Sequence, residues 1–139
     1  MGDFRDASAI IYVEDMAASL AFYRDLLGFV ETYRFPPGDA AEFVALSLDG
    51  GGGSGIALAV ATDGQTGAHG QVIRLRTGRQ FELCVYTDEV DRAIDRLRSL
   101  DVPVLVEPVD QPWGERMAYV ADPDGHPVMI CAVRQADSG

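Results

Sequence analysis

Apolar positions along the chain change period several times, and each change marks an element. Ala9 to Val13 (AIIYV) is a short apolar run of strand type. Beyond it Met16, Leu20, Tyr23 and Leu27 recur at intervals of four, three and four, which places them on one face of a helix. Asp15 stands where an N-cap belongs, and Gly28 where a helix ends in the left-handed conformation. Phe29 to Phe35 returns to a strand pattern and stops at Pro36-Pro37-Gly38. Glu42 to Leu48 and Ile56 to Ala61 read as two more strands, joined through the glycine-rich stretch 49–55.

The second half repeats the first. Phe81 to Tyr86 (FELCVY) is a strand, and Asp88-Glu89-Val90-Asp91 opens a helix whose apolar face is Val90, Ile94 and Leu97, with Ala93 and Leu100 alongside. Tyr86, Val90 and Ile94 each lie 74 positions after Tyr12, Met16 and Leu20, so one offset matches strand end, helix start and buried face together. Val102 to Val106 is the next strand. Met117 to Ala121 and Val128 to Val133 then flank Asp122-Pro123-Asp124-Gly125, a hairpin turn in which Pro presets φ and Gly accepts a positive one. Each half is therefore β-α-β-β-β. The expected organisation is one domain of two modules, about 7–62 and 80–134, with a linker at 63–79 that includes a short strand at Gln71 to Leu75.

Strand residues alternate sides. Leu83 and Val85 face the helix, and Glu82, Cys84 and Tyr86 the other way; the offset maps these three onto Ser8, Ile10 and Tyr12. In the last strand Val128 and Ile130 share one face, Met129 and Cys131 the other. With helices on one side of the sheet, the other side is a surface of mixed polarity on which a ligand could lie.

Composition narrows the function. With 47% hydrophobic residues in 139 the chain builds a real core. No run approaches the length of a membrane span, and the charged residues Asp3, Arg5 and Asp6 argue against a secretory signal. Two cysteines are too few for a disulfide scaffold, so a reducing cytoplasm is expected. A net charge of -11 repels nucleic acid and anionic membranes and attracts cationic ligands.

Few residues carry chemistry. The glycine run Gly50 to Gly53 lacks the Lys-Ser/Thr pair of a phosphate loop and reads as a hairpin connection. There is no GxSxG elbow and no CxxC pair, and most carboxylates sit at helix starts and turns, where capping explains them. Glu82, on a sheet face, is the exception. His69 falls in the glycine-rich connection and His126 in the hairpin turn, both expected to be exposed. Trp113, the single tryptophan, lies between Pro112 and Gly114 in a loop. It is a stacking platform, a packed loop anchor or a subunit contact.

The segments YVEDMAASLAFYRDLLGF, DEVDRAIDRLRSL and WGERMAYVADPDGHPVMI together resemble the vicinal oxygen chelate superfamily, the glyoxalase, bleomycin-resistance and extradiol-dioxygenase group, over about Ala9 to Val133. The resemblance implies an α+β fold in which two β-α-β-β-β modules form a cupped mixed sheet with helices on the outer face. It also implies a homodimer. Asp101-Val102 departs from the family, which usually has glycine after the second helix. Metal-using members carry His or Glu at positions that here are Ser8, Ala57 or Ala59, Glu82 and Met129. Only Glu82 is a hard ligand, so the resemblance implies the metal-free, drug-sequestering branch, with no cofactor and no catalytic residue.

On that reading Trp113 stacks on a flat cationic group and Glu82 offsets its charge. Tyr86, Met129 and Phe43 supply apolar wall, with Cys84 and Ser8 on the same faces. If the first and last strands of a module are neighbours, as the family implies, the sulfurs of Cys84, Cys131 and Met129 lie close together. That permits a soft-metal or redox site, although a packed thiol pair is the ordinary outcome. The alternative is an enzyme of the same fold, metal-free or holding metal through other residues. A third possibility is an interaction domain whose cavity its own side chains fill.

Overall fold

A computed structural model describes residues 8–48, 55–67, 70–75 and 82–134. The glycine run Gly50 to Gly53, His69 and the start of the expected strand at Phe81 lie outside the described residues. The chain divides into two compact units, Met1–Thr77 and Gly78–Gly139. The fold is α+β, with the order β-α-β-β-β in each unit. The expected cupped sheet is realised as two mixed four-stranded sheets, one per unit.

The first unit holds β1 (Ala9–Val13), α1 (Met16–Leu20), β2 (Val30–Phe35), β3 (Phe43–Ser47) and β4 (Gly55–Val60). Its sheet order is β1-β4-β3-β2, with β1 parallel to β4 and the other pairs antiparallel. Ile11 and Val13 are buried while Ile10 between them is exposed, the alternation a half-covered strand requires. Asp15 caps α1, its Oδ1 accepting the Ala18 N–H at 3.1 Å. The expected strand at Gln71 to Leu75 is reduced to one bridge between Thr66 and Val72.

The 4-3-4 spacing predicts a plain α-helix up to Gly28, and here the structure differs. After α1 the backbone widens into a π-helical segment, Ala21–Leu26. The Leu27 N–H donates to the Phe22 carbonyl (3.0 Å) and the Phe29 N–H to that of Tyr23 (3.0 Å). Gly28 then takes φ +89°, ending the helix as expected. The cause is a length mismatch between the modules. Met16 to the left-handed Gly28 spans 12 positions, whereas Val90 to the left-handed Asp101 spans 11. A wide turn absorbs the extra residue. It also turns Phe22 inward beside Tyr23, with Met16 and Leu27 left half-buried.

The second unit holds β5 (Leu83–Tyr86), α2 (Val90–Ser99), β6 (Val104–Asp110), β7 (Glu115–Ala121) and β8 (Pro127–Val133). Its sheet order, β5-β8-β7-β6, repeats that of the first unit. Val90, Ile94 and Leu97 are buried as the pattern requires. Leu100 is not part of that face: the helix has ended at Ser99, and Leu100 is 46% exposed. β6 runs past the expected Val106 to Asp110, through Pro108 and two register shifts. Proline is tolerated there because β6 is an edge strand. The Asp122 turn forms as expected, with Gly125 at φ +84° and the buried Asp122 Oδ1 accepting the N–H groups of Asp124 (2.9 Å) and His126 (2.7 Å).

Asp101 fills the family's glycine position at φ 66°, and the Val102 N–H closes the helix end on the Leu97 carbonyl at 3.1 Å. The left-handed conformation costs a residue with a Cβ, so Asp101→Gly is expected to raise stability by roughly 0.5–1 kcal/mol. A shifted urea midpoint at unchanged slope is the check. A lower midpoint would mean that the aspartate side chain offsets its own strain.

Candidate functional site

α2 packs against β6, β7 and β8, covering one face of the second sheet. Leu83, Val85, Ala118, Val120, Val128 and Ile130 lie on that side. The opposite, open face is a small array. Cys84 is registered with Met129, and Met129 with Tyr119; Tyr86 is registered with Cys131, and Cys131 with Met117. Glu82 precedes β5 on the same parity, and Glu115 begins β7 opposite Val133.

Hydrogen bonds tie this face together. The Tyr119 hydroxyl donates to Glu82 Oε1 at 2.6 Å. Glu115 accepts twice, from the Tyr86 hydroxyl (2.8 Å) and from Trp113 Nε1 (3.0 Å). Trp113 reaches it from a tight turn between β6 and β7, closed by the Gln111 N–H on the Glu115 carbonyl (2.7 Å) with Gly114 at φ +95°. Tyr86 is 63% and Trp113 65% exposed, so both rings present their faces to solvent although their polar ends are held. Glu115 was not among the sequence candidates. Its parity with Tyr119 along β7 was the available signal.

Both phenols are harder to ionise than usual. The hydrogen bond to Glu115 raises Tyr86, and the bond to Glu82 pushes Tyr119 up to about 12 from an ordinary value of 10.0. A raised folded-state value contributes stability that is complete below the unfolded value and is lost as pH climbs through the folded one. The contribution of Tyr119 therefore disappears between about pH 10 and 12. Glu82→Gln is expected to bring Tyr119 back toward the ordinary range, read as earlier phenolate absorbance in an alkaline titration. An unaltered titration curve would mean that the bond does not form in solution.

The Cys84 and Cys131 sulfurs are in contact at 3.4 Å, both as free thiols. Cys131 is fully buried although it lies on the open side of the sheet, because its neighbours cover it. Cys84 keeps solvent access at its edge. Even so, desolvation first and the Cys131 contact second push its thiol up to about 12.

Of the sequence candidates, Glu82, Cys84, Tyr86, Trp113 and Met129 thus belong to the second unit. Ser8 and Phe43 belong to the first. Ser8 is exposed just before β1; Phe43, on β3, is registered with Phe35 and Ala59 and meets Tyr33 edge-on at 6.3 Å. The open face of that sheet is apolar, with Ile10, Tyr33 and Phe35 more than half exposed.

Register also decides between Ala57 and Ala59. Ala57 pairs with Ile10 as Met129 pairs with Cys84, so Ala57 is the counterpart of Met129. The positions at which the resemblance places metal ligands therefore carry a hydroxyl and a methyl in the first unit and a carboxylate and a thioether in the second. Neither pair supplies the roughly three oxygen or nitrogen donors that a hard divalent cation takes. Among the described residues no group of three or more His, Cys, Asp or Glu side chains is placed to hold a metal. No helix among them is long and apolar enough to cross a membrane.

A cleft of about 770 Å³ lies elsewhere, at the start of α2, lined by Asp88, Asp91, Asp95, Arg92, Arg116 and Arg134. Part of its charge is paired: Arg116 bridges Asp91 (2.7 Å) and Asp110 (3.0 Å), and the Arg116 bond holds the Asp91 carboxyl below its usual range.

Comparison with known proteins places the chain. The family model described as Glyoxalase/Bleomycin resistance protein/Dioxygenase superfamily matches residues 7–130. A glyoxalase/bleomycin resistance protein/dioxygenase from Nocardioides superposes with a TM-score of 0.71 at 24% identity, covering 100% of this chain and 88% of the other. A lactoylglutathione lyase from Agrobacterium tumefaciens gives 0.65 at 26% identity, covering 90% of each chain. The fosfomycin resistance protein FosX from Listeria monocytogenes gives 0.65 at 18%, covering 91% of this chain and 90% of the other. No protein of curated function matches in sequence.

Proposed function

The chain belongs to the glyoxalase/bleomycin resistance protein/dioxygenase superfamily, and from that premise we propose that it captures a flat, cationic aromatic compound without transforming it. One observation carries the reading: two exposed aromatic rings, Trp113 and Tyr86, are held by one carboxylate, Glu115. Among the described residues no arginine pairs with Glu115 or with Glu82. A ligand cation would complete this arrangement. Its ring stacks on the indole, and its positive charge meets carboxylates whose partners among the described residues are neutral donors. The net charge of -11 speeds its approach. A homodimer working in a reducing cytoplasm belongs to the same reading.

The enzyme alternative has one support, the structural likeness to a lyase and to FosX. Against it stand the donor positions Ser8, Ala57, Glu82 and Met129. Titrating the protein with bleomycin and with a planar acridinium dye, while following Trp113 emission, tests the capture reading. Saturable change at low salt that weakens as salt rises is the expected result. Flat emission with both probes would overturn capture, and turnover of a glutathione hemithioacetal would replace it by catalysis.

A further inference from the structure

We propose that the sulfur atoms of the second sheet's open face, the Cys84 and Cys131 thiols with the Met129 and Met117 thioethers, form a site for a soft monovalent cation, Cu(I).

The two thiols already touch, at 3.4 Å. Met129 is registered with Cys84 and Met117 with Cys131, so the four sulfur side chains run as one diagonal across β5, β8 and β7. Facing side chains on paired strands stand about 5 Å apart at Cβ, which brings thioethers within reach of the thiols. These positions sit on a hydrogen-bonded sheet, where ligand geometry is held more closely than on loops. Thiolate and thioether donors select Cu(I) over hard cations. The nearby oxygens compete little, because Glu82 and Glu115 already accept from Tyr119, Tyr86 and Trp113.

The exchange balances without an electron. One Cu(I) arrives, one thiol proton leaves to solvent, and a copper–thiolate bond replaces a sulfur–hydrogen bond. The face keeps its charge, and the second thiol and the thioethers bind as neutral donors. Because the bound form is the thiolate, copper displaces a thiol proton and uptake strengthens as pH rises. This site does not depend on capture of an aromatic cation.

The test is anaerobic titration of the reduced protein with Cu(I) against a bicinchoninate competitor, with X-ray absorption of the loaded protein. Expected are one copper per chain and a first shell of sulfur alone. Cys84→Ser, on the exposed side of the pair, weakens binding at least tenfold while leaving the thermal midpoint in place. Met117→Leu, nearly isosteric, weakens it severalfold. Equal affinity in wild type and Cys84→Ser, nitrogen or oxygen in the first shell, or closure of the pair into a disulfide with no copper retained would each overturn the proposal.

Discussion

Tyr23→Ala is expected to destabilise the protein by about 3–5 kcal/mol, the cost of deleting a large aromatic side chain from a packed core. Tyr23 is fully buried at the centre of the first unit's helix and meets Phe22 edge-on at 4.9 Å and Phe29 at 6.1 Å. Its carbonyl also receives the Phe29 N–H that closes the wide turn. Alanine would leave a void bordered by two rings that the turn geometry holds apart, so collapse into it is restricted. Tyr23→Phe keeps both ring contacts and is expected to lose no more than about 1.5 kcal/mol, the scale of one hydrogen bond. Urea unfolding of the three proteins separates these effects. A loss under about 1 kcal/mol for alanine would show that the aromatic trio contributes little to the fold.

Glu115→Ala is expected to weaken binding of the acridinium probe by about ten- to a hundredfold, or roughly 1.4–2.8 kcal/mol. The residue has three tasks on the reading offered above: it orients Trp113, orients Tyr86 and supplies negative charge. Alanine removes all three. Glu115→Gln keeps an acceptor for both donors and removes only the charge, so an intermediate affinity is expected, less sensitive to salt than that of wild type. Glu115 is half-exposed and among the described residues its carboxylate bonds only side chains, so the unfolding midpoint of either variant should move little. The same affinity in all three proteins would end the case for this face as the ligand site.

Much of the fold was readable because its signals are local. β1 was legible from AIIYV, the helix start from Asp15, its end from Gly28, and the last hairpin from Asp-Pro-Asp-Gly. In each case one or two residues set the backbone. What escaped depends on partners distant in sequence. The 4-3-4 spacing before Gly28 satisfies an α-helix as well as its π-widened version, and only the mismatch against the second module distinguishes them. The strand expected over Val102 to Val106 continues through Pro108, because an edge leaves the missing N–H without consequence. Asp101 shows the limit of reading by residue type, since an aspartate does there what glycine usually does.

The candidate site divides in the same way. Alternation alone put Glu82, Cys84 and Tyr86 on one side of β5 and Met129 on the matching side of β8. It did not show which hydroxyl meets which carboxylate, because those pairs span 29 and 37 positions. Glu115 was hidden by position: the strand it starts was expected to begin at Met117. Ser8 was grouped with the others through the 74-residue offset and Phe43 as apolar wall; Ser8 directly precedes β1 and Phe43 lies on β3, both in the first unit.

The surplus residue in the first helix bears on how this chain can change. If both modules descend from one ancestral copy, a single codon was gained or lost in one of them after doubling. A strand could not have tolerated that, because a shift of one place reverses which side chains point inward. A helix hides the change in a locally swollen coil and returns the chain to the next strand in phase. Length variation in relatives should therefore gather within helices and at hairpin tips, while the strands keep their count.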